Sequence, residues 1–232
     1  MNRALRTMPL TYREPLAVTT REPPRASVIW LHGLGADGSD FLPIVSELNH
    51  ARLPPLRFVF PHAPAQAVTL NGGFVMPSWY DIIGLHDDAA EDETGILASV
   101  HYLNRLIAGE IERGIAPQNI VLAGFSQGGN IALNCALRYP QALAGALILS
   151  SYLGLKDKLA VDASAANRQL PIFMAHGTQD EIVSCAFARA SRDALSALGY
   201  QVEWREYPMT HTVCTDEVTD IGAWLSAALS KA

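Results

Sequence analysis

The chain has 232 residues, 49% of them hydrophobic, enough for one sizeable core and within the range of a single α/β domain, here taken as residues 1–232. Seventeen basic residues against 23 acidic ones give a formal charge of −6 without any basic block to track a phosphate backbone, so nucleic acid is excluded as an expected partner. No apolar run approaches the roughly 18 residues that span a bilayer, "MNRALRTMPLTYREP" lacks the apolar stretch of a secretory signal, and Cys135, Cys185 and Cys214 are odd in number and irregular in spacing; a cytoplasmic protein with reduced thiols and no stable membrane insertion is expected.

Short apolar runs alternate with longer amphipathic stretches, the pattern of βα units on a parallel sheet. Residues 1–24 form an N-terminal arm in which "PLAVTT" offers an edge strand. "SVIWLH" (27–32) predicts a strand, "SDFLPIVSELN" (39–49) a helix and "RFVFP" (57–61) a second strand. The segment 61–88 is too long for an ordinary connection and too apolar for a disordered one; "AVTL", the turn residues "NGG" and "FVM" suggest a hairpin flap near the active site. A long helix follows from Asp92 to Arg113, then the strand "NIVLAGF" (119–125), the helix "QGGNIALNCALRY" (127–139) and the strands "GALILS" (145–150) and "PIFMAH" (171–176). The helix "SCAFARASRDALSALG", the strand "QVEWREY" (201–207) and a last helix from Asp216 to the end complete the series, the last with Val218, Ile221, Leu225 and Leu229 on one stripe widened by Trp224 and Ala228. The strands are apolar at successive positions, which predicts helices on both faces of the sheet.

Gly124-Phe125-Ser126-Gln127-Gly128 fits GxSxG directly between a predicted strand and a predicted helix. In that setting the glycines admit a strained turn that lifts the serine hydroxyl above the carboxyl ends of the strands; the competing reading is a glycine-rich turn with an N-capping serine. A serine needs a histidine to take its proton and a carboxylate to hold that histidine, and in hydrolases of this kind the chain order is Ser, Asp or Glu, His. Asp180 in "HGTQDEIV" and His211 in "YPMTHTVC" follow strands and reach the same edge. Glu181 is the neighbouring alternative to Asp180, and His32 and His176, each before a glycine, read as loop-shaping residues. Two backbone amides are candidates for the oxyanion hole: that of Gln127, after the nucleophile at a helix start, and that of Leu34 in the glycine-rich "LHGLGADG". That loop fits neither a Walker A motif nor GxGxxG.

With "LHGLGADGSDFLP", "NGGFVMPSWYDI", "AGFSQGGNIAL", "HGTQDEIV" and "YPMTHTVC" in this order and spacing, the chain resembles the carboxylesterase and acyl-protein thioesterase family of α/β hydrolases from about Ser27 to Leu229. The resemblance implies an α/β-hydrolase fold without a large cap domain, Ser126, Asp180 and His211 as triad, Leu34 and Gln127 as oxyanion donors, and no metal or cofactor. One position departs from the family pattern: Thr210 stands where a glycine commonly precedes the catalytic histidine, and a β-branched residue tolerates fewer backbone angles. Val68, Leu70, Phe74, Val75, Met76, Trp79 and Tyr80 concentrate apolar surface in the flap, either as a satellite cluster sealing a loop or as the wall of an acyl site. The resemblance favours the wall, with Leu70, Phe74, Met76, Trp79 and Ile182 binding substrate and Val183 on the facing side. The function so read is hydrolysis of small-molecule carboxylic esters of short to medium acyl chain. Acyl-protein thioesterase and lysophospholipase remain as alternatives, as does a binding module that has lost catalysis. Apolar flap residues left exposed would serve a homodimer.

Overall fold

Strands form where branched and aromatic residues run together, and the most apolar of these runs lie deepest. In the computed structural model, which describes residues 11–48, 52–86, 89–230 and 232, "ASVIWL" is buried at all six positions as β2 (Ala26–Leu31). Residues 1–10 of the N-terminal arm, the Asn49 end of the first predicted helix, residues 87–88 of the flap and Lys231 lie outside the described residues.

Seven strands form one sheet: β1 (Leu16–Thr19), β2, β3 (Leu56–Phe60), β6 (Ile120–Phe125), β7 (Gly145–Leu149), β8 (Ile172–Gly177) and β9 (Val202–Tyr207), in the order β1-β3-β2-β6-β7-β8-β9. All neighbours are parallel except β1, which pairs antiparallel with β3 at the edge. A second, two-stranded sheet is the hairpin of β4 (Ala65–Val68) and β5 (Phe74–Pro77). Its connection ends in Gly72 (φ 65°) and Gly73 (φ 82°), left-handed conformations that glycine takes without penalty. The chain lays β3 on one side of β2 and then β6 on the other, so strand order reverses between β2 and β6. Crevices at the carboxyl ends of strands beside such a reversal are where ligands bind in open α/β sheets.

Alternate strand residues feed two cores. Ile29, Leu31, Leu122, Ile148 and Met174 face α2 (Glu93–Glu112), α3 (Gln127–Arg138) and α5 (Cys185–Ala197), through Ile96, Leu103, Ile107, Ile131 and Leu195. Val28, Trp30, Val121, Ala123, Leu147 and Phe173 face α1 (Ile44–Glu47) and α6 (Thr215–Ala228), through Ile44, Val218, Ile221, Trp224 and Leu225. Full burial of such a side chain contributes roughly 1.5–3 kcal/mol. The fold is that of an α/β hydrolase, with helices on both faces and no large cap domain.

Three elements differ from the sequence expectation. The helix expected over 39–49 is a series of tight turns, Leu42 N–H to Ser39 and Ile44 N–H to Phe41, ending in a single helical turn, Ile44–Glu47. Pro43 explains it, because a proline inside a helix lacks the N–H and its ring crowds the carbonyl four residues back. A short helix, α4 (Lys156–Asp162), was not expected; it buries Leu159 alone, too little for a periodic signal. The last helix ends at Ala228 rather than at the terminus.

Candidate active site

β6 is the central strand, and Ser126 stands at its carboxyl end as the N-cap of α3 with φ 52° and ψ −122°. A positive φ at a non-glycine residue is strained and persists only where the surroundings hold it. Here the Ser126 N–H donates to Leu149 O (2.9 Å), and Ser126 O accepts from Gly129 N–H (3.0 Å) and Ser151 Oγ (2.6 Å). The GxSxG glycines are required by close approach: a Cβ on Gly124 would overlap the Gly128 carbonyl, and one on Gly128 would overlap His32 O.

The β8–α5 and β9–α6 loops meet at the same edge. His211 Nε2 lies 2.9 Å from Ser126 Oγ, and His211 Nδ1 lies 2.7 Å from Asp180 Oδ2. Asp180 Oδ1 accepts from the N–H groups of Ile182 and Val183, each at 2.9 Å. His176 Nε2 stands 3.2 Å from Asp180 Oδ2. Burial works to raise the Asp180 pKa, but the hydrogen bonds from His176, His211 and the Val183 N–H outweigh it and hold the carboxyl below the usual carboxylate range. Asp180 is therefore ionised at neutral pH and fixes the tautomer that leaves His211 Nε2 free to accept a proton. Glu181 is exposed and faces the cleft, whereas Asp180 is buried. Thr210 does not take a positive φ, so its branched side chain fits this path. Gly177 makes room for the histidine loop, since a Cβ there would overlap Met209 O.

Gln127 and Leu34 both border Ser126 in the cleft. The first N–H groups of a helix have no intrahelical acceptor, so the Gln127 amide at the start of α3 is open to an anion. The Leu34 loop is pinned by His32, whose Nδ1 donates to Gly33 O (2.7 Å) while Nε2 accepts from Ala63 N–H (3.0 Å). Burial lowers the His32 pKa, with the Gly33 carbonyl opposing, in keeping with a neutral ring satisfied at both nitrogens. His62 Nδ1 accepts from Gly38 N–H (3.1 Å) and holds the far end of the same loop. The Gln127 side chain anchors the flap: its Oε1 accepts from Trp79 N–H (2.9 Å) and its Nε2 donates to Tyr80 O (2.7 Å) and Ser78 Oγ (2.9 Å).

A cleft of about 660 Å³ opens over Ser126 and His211, lined on its apolar sides by Leu34, Leu70, Ile82, Leu85, Phe125 and Ile182. Leu70 and Ile182 thus border it, and three other residues singled out for substrate contact do not. Trp79 is fully buried beneath the loop, with Nε1 donating to His32 O (2.9 Å). Met76 packs against the core, and Phe74, on the hairpin, is 68% exposed. Sequence reasoning missed Ile82 and Leu85, which lie in the same apolar segment, and Phe125 within GxSxG itself. It also missed Tyr152, whose hydroxyl shares a 2.6 Å hydrogen bond with Tyr80 at the cleft floor. No group of three or more His, Cys, Asp or Glu able to hold a metal occurs among the described residues. No helix among them is long and apolar enough to cross a membrane.

Residues 14–229 match the phospholipase/carboxylesterase family. Acyl-protein thioesterase 1 of Neurospora crassa is 40% identical over 231 residues, covering 96% of this chain and 94% of its own. Among solved structures, Arabidopsis thaliana SOBER1 superposes with a TM-score of 0.85 at 31% identity, covering 88% of this chain and 99% of that one. Zea mays acyl-protein thioesterase 2 superposes with a TM-score of 0.81 at 29% identity over 92% and 99%. A match of this extent settles the lineage: the chain belongs to the phospholipase/carboxylesterase family of α/β hydrolases and is a hydrolase of ester or thioester bonds.

Proposed function

We propose that the protein is a serine hydrolase that cleaves carboxylic esters of short to medium acyl chain through an acyl-enzyme on Ser126. His211 Nε2 takes the Ser126 proton as Oγ attacks the carbonyl, and passes it to the departing alcohol or thiol; a water then repeats the sequence on the acyl-enzyme. Asp180 holds His211 and stabilises the imidazolium, and the Gln127 and Leu34 amides receive the oxyanion, where one donor is typically worth about 10² to 10³ in turnover. The observation that carries this reading is the bridge itself, His211 between Ser126 Oγ at 2.9 Å and Asp180 Oδ2 at 2.7 Å. The cleft along Leu70, Ile82, Leu85 and Ile182 suits an apolar acyl chain. Its three free cysteines fit a reducing cytoplasm.

A second reading, deacylation of protein thioesters, is favoured by the relatives that bear that name. p-Nitrophenyl esters from acetate to palmitate, beside a palmitoyl-thioester peptide and a lysophospholipid, separate the readings. Highest kcat/KM on butyrate to octanoate supports the first, and a preference for the thioester peptide supports the second. Turnover that survives Ser126→Ala contradicts both.

A further inference from the structure

Asp180 accepts on both oxygens, and the donors are not equivalent. Oδ1 takes two backbone N–H groups, those of Ile182 and Val183, which belong to its own turn. Oδ2 takes His211 Nδ1 at 2.7 Å and has His176 Nε2 at 3.2 Å, so one carboxylate oxygen lies between two imidazoles. His176 is wholly buried near the end of β8, its ring parallel to Trp204 within 14° at 6.4 Å between centroids. Its Nε2 also lies 2.7 Å from Val183 O. A carbonyl and a carboxylate can only accept, so Nε2 carries the hydrogen; it bonds Val183 O at 2.7 Å and makes a longer contact with Asp180 Oδ2 at 3.2 Å. His176 Nδ1 is buried with no hydrogen-bond partner among the described residues.

That orphaned nitrogen is informative. As a filler, imidazole is a poor choice, because it leaves a desolvated polar atom that leucine or phenylalanine would not. As a clamp for the turn it is nearly redundant, because two amides already tie residues 182 and 183 to Asp180. What neither amide does is hold Oδ2 when His211 gains and loses its proton in each cycle.

We propose that His176 is a positioning residue of the reaction: its Nε2–H fixes Asp180 Oδ2 on the line to His211 Nδ1, so that His211 meets Ser126 in one orientation and one tautomer throughout turnover. The inference rests on the triad reading above. It acts through Asp180 alone, since nothing places His176 against the cleft.

The test is a double-mutant cycle on p-nitrophenyl butyrate, with kcat and KM measured across the acid limb of the pH profile. His176→Leu, which fills the space without a donor, is expected to lower kcat by about tenfold to a hundredfold, the loss usual for an outer partner of a working group, with KM within about twofold. His176→Gln, whose amide nitrogen reaches as far as Nε2, should recover most of that loss. Removing the donor leaves the carboxylate more basic and the imidazolium better stabilised, so the acid limb moves to higher pH in His176→Leu and returns in His176→Gln. In an Asp180→Ala background, His176→Leu should cost nothing further, because the group it acts through is gone.

Equal losses in both backgrounds, a loss without any shift of the acid limb, or wild-type kcat in His176→Leu would each overturn the role. If His176→Leu does not fold by circular dichroism, His176→Asn, too short to reach Oδ2, takes its place with the same expectations. An Asp180→Ala enzyme with unchanged kcat would sink the triad reading and this inference with it. An impaired Asp180→Ala enzyme with additive losses would sink the inference alone.

Discussion

The carboxyl edge of the sheet and the β4–β5 hairpin sit side by side over one cleft, yet they are built by different means. At the edge, each group given a part in the proposed reaction is held by several hydrogen bonds: Ser126 through its own N–H and O, Asp180 through both oxygens, and the Leu34 loop through His32 and His62. The hairpin buries Val68 while leaving Phe74 and Val75 exposed. It is tied down at its base, by Thr69 to Asp81, by Gln66 Nε2 to Ser78 O and by Gly35 N–H to Pro77 O. Chemistry at the edge tolerates little displacement, because reacting atoms must stay within hydrogen-bonding reach. An acyl site asks only for apolar surface of about the right shape, and a mobile or variable wall suffices.

The comparison makes unequal predictions for the two regions. At the edge, Ser126→Ala should lower kcat on p-nitrophenyl butyrate by about 10⁴-fold or more with an unchanged circular dichroism spectrum, and Asp180→Asn should come close to it, since the wrong histidine tautomer is then favoured. Next in size is a change of stability at the seam between the regions. Trp79→Ala, which empties a fully buried site and removes the bond to His32 O, should cost about 3–5 kcal/mol in urea denaturation, whereas Phe74→Ala should cost next to nothing. A Trp79→Ala protein as stable as wild type would erase the distinction between flap residues that support and those that project.

Smaller effects belong to the wall. Leu70→Ala and Ile182→Ala should lower kcat/KM for octanoate by about tenfold while leaving acetate within about twofold, on the 1–3 kcal/mol that a methylene or two contributes in such a pocket; Phe74→Ala should alter neither. Loss on acetate equal to that on octanoate would place these residues in the chemistry instead. The smallest effect concerns α6, which follows the His211 loop. Glu217 is buried there, and burial pushes its pKa up to about 8, with the Cys214 backbone N–H pulling the other way. A carboxyl raised in the folded state contributes most below its unfolded pKa, near 4.3, and its contribution is lost as pH rises toward 8. Glu217→Gln should therefore raise Tm more at about pH 8.5 than at about pH 5; a pH-independent difference would contradict the burial cost.

The contrast also explains which parts of the molecule could be read in advance. Ser126, Asp180 and His211 stand on motifs whose turn geometry is local, so each could be singled out from a few flanking residues, and in the fold His211 lies within hydrogen-bonding distance of both the others. The strands were legible because buried parallel strands are apolar at nearly every position, as "ASVIWL" is except at Ser27. The helix expected over 39–49 failed on a local feature that was visible, Pro43. The wall was not legible, because which side of a hairpin faces the cleft depends on register and on the core beneath. Val68 pairs with Phe74, yet one is buried and the other exposed, and Trp79 looks like a pocket aromatic in sequence but is fully buried away from the cleft lining. His176 was read as loop-shaping, and its reach to Asp180 Oδ2 emerges only when the β8–α5 loop closes over it.

The central claim is that Ser126 is made nucleophilic by His211. Mass spectrometry of the protein after reaction with a fluorophosphonate measures this directly. The account predicts a single adduct on Ser126, formed at a rate that falls by orders of magnitude in His211→Ala. An adduct at another residue, or Ser126 labelled equally fast without His211, would contradict it.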